Sequence, residues 1–115
     1  GRDENMAKGG MNMDIERYRE QEAIKAKRIC TLKDGTIASV QASKFHYCVP
    51  KQDNSEKYRA VEAWFWRPDK RFKEGRRMLT EEPLTFLPAD KLMKMIDTHG
   101  GIVSGELPPL DLGEE

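Results

Sequence analysis

ICTLKDGTIASVQA, residues 29–42, is the stretch on which the fold turns. Asp34-Gly35 lies between two β-rich runs. Asp-Gly suits the two positive-φ positions of a type I′ turn, because glycine carries no Cβ and aspartate tolerates the left-handed region. A two-residue loop there pairs Lys33 with Thr36, Leu32 with Ile37, Thr31 with Ala38 and Ile29 with Val40. That register puts Ile29, Thr31, Ala38 and Val40 on one face and Leu32 with Ile37 on the other. A β-hairpin with strands near 27–33 and 36–43 is therefore expected.

Further strands follow. KFHYCVP (44–50) is β-rich and stops at a proline, so a strand near 44–49 is expected, with Phe45, Tyr47 and Val49 on one face and Lys44, His46 and Cys48 on the other. KQDNSEK is a polar loop. YRAVEAWFW (58–66) alternates: Val61, Ala63 and Phe65 share one face, and Tyr58, Ala60, Glu62, Trp64 and Trp66 the other. Arg67-Pro68 ends that strand, residues 67–77 read as a charged loop, and PLTF supplies a short final strand.

PADKLMKMIDTH (88–99) carries the clearest helical signal. Pro88 fits a first turn, where its missing N–H costs nothing, and Asp90 complements the positive end of the helix dipole. Ala89, Leu92, Met93 and Ile96 form one apolar stripe, and Gly100-Gly101 supplies the stop. Residues 14–28 are rich in helix formers behind Asp14, but their stripe of Ile15, Tyr18, Ala23, Ala26 and Ile29 is thin. That helix is either docked by few residues or formed only against a partner. The fold class expected is α+β: a small antiparallel sheet of three to four strands, with the hairpin at Asp34-Gly35, helix 88–99 packed on one face, an N-terminal helix and disordered tails.

The chain divides accordingly. Residues 1–13 (GRDENMAKGGMNM) show no apolar periodicity and are expected to be disordered, in part an expression remnant. Residues 14–105 form one α+β domain, and 106–115 an acidic, Pro-containing tail from residue 106 onward. At 115 residues there is room for little more than one small domain. The net charge of zero argues against a polycation. No apolar run approaches the ~18 residues of a membrane span, and no signal-peptide core is visible. Two cysteines do not make a secreted disulfide framework. A soluble cytoplasmic protein is expected.

Two constellations carry chemistry. Cys30, His46, Cys48 and His99 supply a zinc-compatible set of donors, but the C-x15-H-x-C-x50-H spacing fits no finger or ribbon. The same residues as a Cys–His nucleophile pair place His46 and Cys48 an awkward two positions apart on a strand. No Walker loop, GxGxxG, nucleophile elbow or HExxH occurs. Neither an enzyme, a bound metal nor a cofactor is expected, and no small-molecule substrate is evident.

The second constellation is WFWRPDKRFKEGRR (64–77). Six basic side chains stand against Asp69 and Glu74 over residues 67–77, beside Trp64, Trp66 and Phe72. Phosphates attract Arg and Lys, and unstacked bases attract aromatic faces. Trp64, Trp66, Arg67, Lys70, Arg71, Phe72, Lys73, Arg76 and Arg77 are the candidate contact surface, for a protein partner first and for nucleic acid second. The acidic Pro/Leu tail is a further element able to lie on a basic surface. The oligomeric state is open at this level.

SVQASKFHYCVPK, YRAVEAWF and LPADKLMKMIDTHGG together resemble the layout of small bacteriophage and prophage proteins, in which an ASxxHYCxP-like strand precedes YxxVE and a short helix ending HGG. The matching positions are Ala42, Ser43, His46, Tyr47, Cys48, Pro50, Tyr58, Val61, Glu62, His99, Gly100 and Gly101, over roughly residues 39–101. The resemblance implies a phage-type accessory protein without an assigned activity. The 64–77 segment and the N-terminal helix depart from that layout.

Overall fold

The computed structural model describes residues 2–113, with side chains from residue 15 onward. Helix α1 (Arg2–Lys27) is followed by strands β1 (Ile29–Leu32), β2 (Ile37–Gln41), β3 (Ala60–Pro68), β4 (Arg76–Met78) and β5 (Leu84–Pro88). Helix α2 (Ala89–Thr98) and strand β6 (Ile102–Ser104) complete the order. The class is α+β, as expected, but the sheet has six strands rather than three or four. Its order is β4-β3-β2-β1-β6, every pairing is antiparallel, and β5 shares β3's edge with β4.

The hairpin forms, but in a different register. Ile29 faces Ser39, Cys30 faces Ala38 and Thr31 faces Ile37. The loop has three residues, Lys33 to Gly35, closed by bonds from the Leu32 amide to the Thr36 carbonyl and from the Gly35 amide to the Leu32 carbonyl. Gly35 takes φ +93°, the glycine-requiring position of a three-residue hairpin. The cause lies outside the hairpin. The Lys33 and Asp34 amides donate to the Gly101 and His99 carbonyls just past α2, so the Lys33 amide is not free to pair with Thr36 across a two-residue loop. Because strand side chains alternate, the one-residue slip turns Cys30 and Leu32 inward with Ala38 and Val40, and leaves Ile29 outward.

β3 follows its alternation: Val61, Ala63 and Phe65 are buried, while Glu62, Trp64 and Trp66 are only partly covered. α2 presses Ala89, Leu92 and Ile96 onto the buried face, with Met93 partly buried beside them. The expected strand near 44–49 is replaced by turns and a single bridge from Val49 to Ala60. Ser43 is the reason. Its hydroxyl accepts the Phe45 amide at 3.0 Å, and its carbonyl accepts the His46 amide. Local side-chain bonds of this kind compete with a ladder.

α1 begins far ahead of residue 14, at Arg2. Ile15 and Tyr18 of its thin stripe remain exposed. The helix is held at its C-terminal end, where Gln41 Nε2 donates to the Lys25 carbonyl at 3.1 Å. The expectation of disorder over 1–13 concerns residues whose side chains lie outside the described set.

At the other end, residues 106–113 are held rather than free. Pro108 is fully buried, the Tyr58 amide donates to the Pro109 carbonyl, and the Asp111 amide returns to the Tyr58 carbonyl. Buried Tyr58 is thus flanked by the tail, which satisfies its backbone polar groups where no neighbouring strand does. Among the described residues no helix is long and apolar enough to cross a membrane.

Candidate aromatic groove on the open sheet face

α2 covers one face of the sheet, and the other carries the aromatic residues singled out above. Trp64 lies opposite Ser39, and Trp66 stands between Ile37 on β2 and Met78 on β4. Opposed residues in an antiparallel pair share a face, so these side chains rise on the same side. Arg76 stacks its guanidinium 5.0 Å from the centroid of the Trp66 ring. A groove of about 390 Å³ runs among Ser39, Trp64, Trp66, Arg76 and Met78, with Glu74 and Glu81 completing its rim. A second groove shares Ser39 and Trp64 and continues to Glu22 and Lys25 of α1, and to His46 and Glu62.

The basic segment does not stay with the tryptophans. Arg67 is on the opposite face, where its guanidinium donates to Asp34 Oδ2 at 2.8 Å, and Arg77 lies across from it in the β3–β4 pairing. Lys70, Arg71, Phe72 and Lys73 stand exposed on the loop between β3 and β4. There Arg71 binds Asp69 in a two-pronged contact, Nε to Oδ1 at 3.0 Å and Nη2 to Oδ2 at 2.7 Å. Those bonds from Arg71 hold the Asp69 carboxyl down at about 2. Of the nine candidate residues, the fold gathers Trp64, Trp66 and Arg76. It sends Arg67 and Arg77 to the other face and leaves the rest on a loop.

The charge of the face changes with this dispersal. The two adjoining grooves hold four carboxylates, Glu22, Glu62, Glu74 and Glu81, against Lys25 and Arg76. Lys25 is already paired with Glu22 at 3.1 Å, while Glu62 accepts the Tyr47 amide. A segment that is basic in sequence thus surrounds an aromatic face that is acidic. Ser39, Glu74, Met78 and Glu81 were not legible as site residues, because β4 and its pairing with β3 had to be known first. Only the WFW triplet signalled the place.

The cysteines and histidines do not converge. Cys30 and Cys48 are unpaired, buried thiols in the hydrophobic cluster. Burial pushes both thiols up, the opposite of what a thiolate nucleophile or metal ligand requires. His46 Nδ1 is 2.6 Å from Ser43 Oγ, and burial pushes this imidazole down. His99 Nδ1 donates to Asp34 Oδ2 at 2.7 Å and lies 3.2 Å from Thr36 Oγ1. Thr36, His99 and Asp34 have the residue types of a nucleophile relay, but both partners meet the same ring nitrogen, so no proton can pass through the ring. Instead the cluster locks the hairpin tip to the end of α2. Among the described residues, no three of His, Cys, Asp and Glu gather as a metal site.

A different aromatic group lies at the 43–51 loop. Tyr47 and Phe86 place their ring centroids 5.7 Å apart, and the Phe86 amide donates to the Tyr47 carbonyl. Phe86 holds φ +50° to do so, a conformation that costs a non-glycine residue about 1–3 kcal/mol. The contact pins the loop to β5 and so frames the end of the open face next to Glu62.

No protein-family model, curated protein or solved structure matches this chain.

Proposed function

We propose that the protein is a non-enzymatic interaction module that engages a protein partner through the open sheet face around Trp64 and Trp66. The observation that carries the reading is the groove itself. Two indoles and Met78 line a concavity of about 390 Å³ on a face that α2 does not cover. Aromatic residues and methionine are enriched at the desolvated centres of protein interfaces, with polar residues at the rim. Glu74, Arg76 and Glu81 supply such a rim.

The same carboxylates weigh against nucleic acid at this place, because a phosphate backbone is repelled by them. Arg67 and Arg71 already serve Asp34 and Asp69, which reduces the cations available to phosphates. The phage-type accessory reading rests on the ASKFHYCVP and HGG stretches and fits a small interaction protein. Unpaired, buried Cys30 and Cys48 fit a reducing compartment such as the cytoplasm.

Panning a random peptide library against the wild-type chain tests the proposal. Peptides should be enriched that lose binding to the Trp64→Ala variant and to the Trp66→Ala variant, with circular dichroism confirming that each variant is folded. Failure to enrich any tryptophan-dependent peptide overturns the reading. Tight, salt-sensitive binding of a labelled single strand that depends on the same tryptophans establishes the nucleic-acid alternative instead.

A further inference from the structure

We infer that the partner presents a lysine or arginine side chain to the aromatic groove. The inference rests on the interaction reading above and names the chemistry of the occupant. Three observations carry it.

The first is the pairing of indoles with carboxylates. Trp64 and Trp66 are two residues apart on β3, on one face, and Glu74 and Glu81 complete the same groove. An indole face attracts a cation through its quadrupole, and the attraction grows as water is excluded. A carboxylate at the rim adds a charge-assisted hydrogen bond to the same group. Neither Glu74 nor Glu81 forms an ion pair among the described residues, so their charges are available.

The second is that the face already holds one such cation. Arg76 of the chain itself lies over Trp66 at 5.0 Å. Among the described residues no cation stacks on Trp64, which lies opposite the small side chain of Ser39, and the nearby Lys25 is paired with Glu22. The intramolecular contact is an instance of the same chemistry at Trp66.

The third is the sign of the field. The carboxylates of the two joined grooves outnumber their cations, although the segment that supplies the tryptophans is basic in sequence. Arg67 and Arg77 project from the far side of the sheet, so they do not compensate the acidic side at contact distance. An anionic side chain in the groove would face Glu74 and Glu81. A neutral apolar one would leave their charges to be desolvated without a partner.

The peptides enriched in the panning experiment decide the point. Tryptophan-dependent peptides should share a Lys or Arg. Replacing that residue by norleucine for lysine, or citrulline for arginine, should weaken binding about tenfold or more, the scale of a desolvated cation–π contact with a carboxylate beside it. The double variant Glu74→Gln, Glu81→Gln alters exposed rim positions only, and it should bind the basic peptide several-fold more weakly and with a smaller salt dependence. Tryptophan-dependent peptides that lack a basic residue, or that bind equally after its neutral replacement, overturn this inference and leave the interaction module standing. Absence of any tryptophan-dependent peptide overturns both. A basic peptide whose affinity is unchanged by the two Glu→Gln substitutions overturns the carboxylate part of the argument.

Discussion

On the α2 side of the sheet, Leu32, Val40, Val61 and Phe65 are at most 1% exposed and form one cluster with Leu92 and Ile96. On the opposite side, Ser39, Trp64 and Trp66 come from the same strands and remain partly in contact with water, with Ile29 more exposed still. The difference does not lie in hydrophobicity, since the outward face carries the larger rings. It lies in what is available to cover them. α2 offers an aliphatic stripe of matching size, whereas α1 meets the outward face with Glu22, Lys25 and the small Ala26. One face is closed by packing within the chain, and the other is left with indoles, a methionine and a rim of charge. Stability is therefore concentrated on one side of β3, and the proposed contact surface lies on the other.

Adjacent residues of β3 test this division most directly. Phe65→Ala should destabilise the chain by about 3–5 kcal/mol, because it opens a cavity in a closed core. Trp64→Ala, one position away, should cost about 1–2 kcal/mol, since part of its surface is already wet. Urea unfolding of the two variants measures both values. Equal losses would break the comparison, because they would mean that the outward face is as much core as the inward one.

A smaller effect should come from the hairpin tip. The hydrogen bond from His99, and next the one from the Thr36 amide, hold the Asp34 carboxyl below the ordinary carboxylate range. The folded chain therefore takes up this proton less readily than the unfolded one. The resulting stabilisation is complete above the ordinary aspartate value of about 4 and is lost as pH falls through the native value. Asp34→Asn should flatten the acid limb of a plot of urea midpoint against pH below about pH 4, with little change in the slope at neutral pH. Parallel curves for wild type and variant would show that the latch between hairpin and α2 carries no stability.

The smallest effect sharpens the separation of basic loop from aromatic face. Lys70→Ala with Lys73→Ala changes exposed loop positions, so stability should move by less than about 0.5 kcal/mol per site. Binding of a tryptophan-dependent basic peptide should hold or strengthen slightly, as two like charges are removed. A clear loss of peptide binding would bring the loop back into the contact surface.

Much of this architecture can be read along the chain. The alternation of Val61, Ala63 and Phe65 against Glu62, Trp64 and Trp66 assigns both faces of β3, because strand period alone sorts them. The Leu92 and Ile96 stripe assigns the buried side of α2 for the same reason, at a helical period. Asp34-Gly35 places the hairpin reversal, since the positive φ of Gly35 is relaxed in a residue without a Cβ. These features depend on neighbours close in sequence, and that is why they are legible there. The register of the hairpin depends on Gly101 and His99, more than sixty residues away, whose carbonyls take the amides of Lys33 and Asp34 and turn Cys30 and Leu32 inward. The loop at 44–49 depends on Ser43 satisfying the Phe45 amide and on Phe86 meeting Tyr47. The fate of the basic segment depends on β4 returning beside β3, which sets Arg67 and Arg77 on one side and Trp66 and Met78 on the other. Residue composition alone joins those arginines to the tryptophans. Tertiary pairing separates them, because a strand's two faces are divided by the sheet's own backbone, and only the partner strand decides which distant carboxylates complete each side.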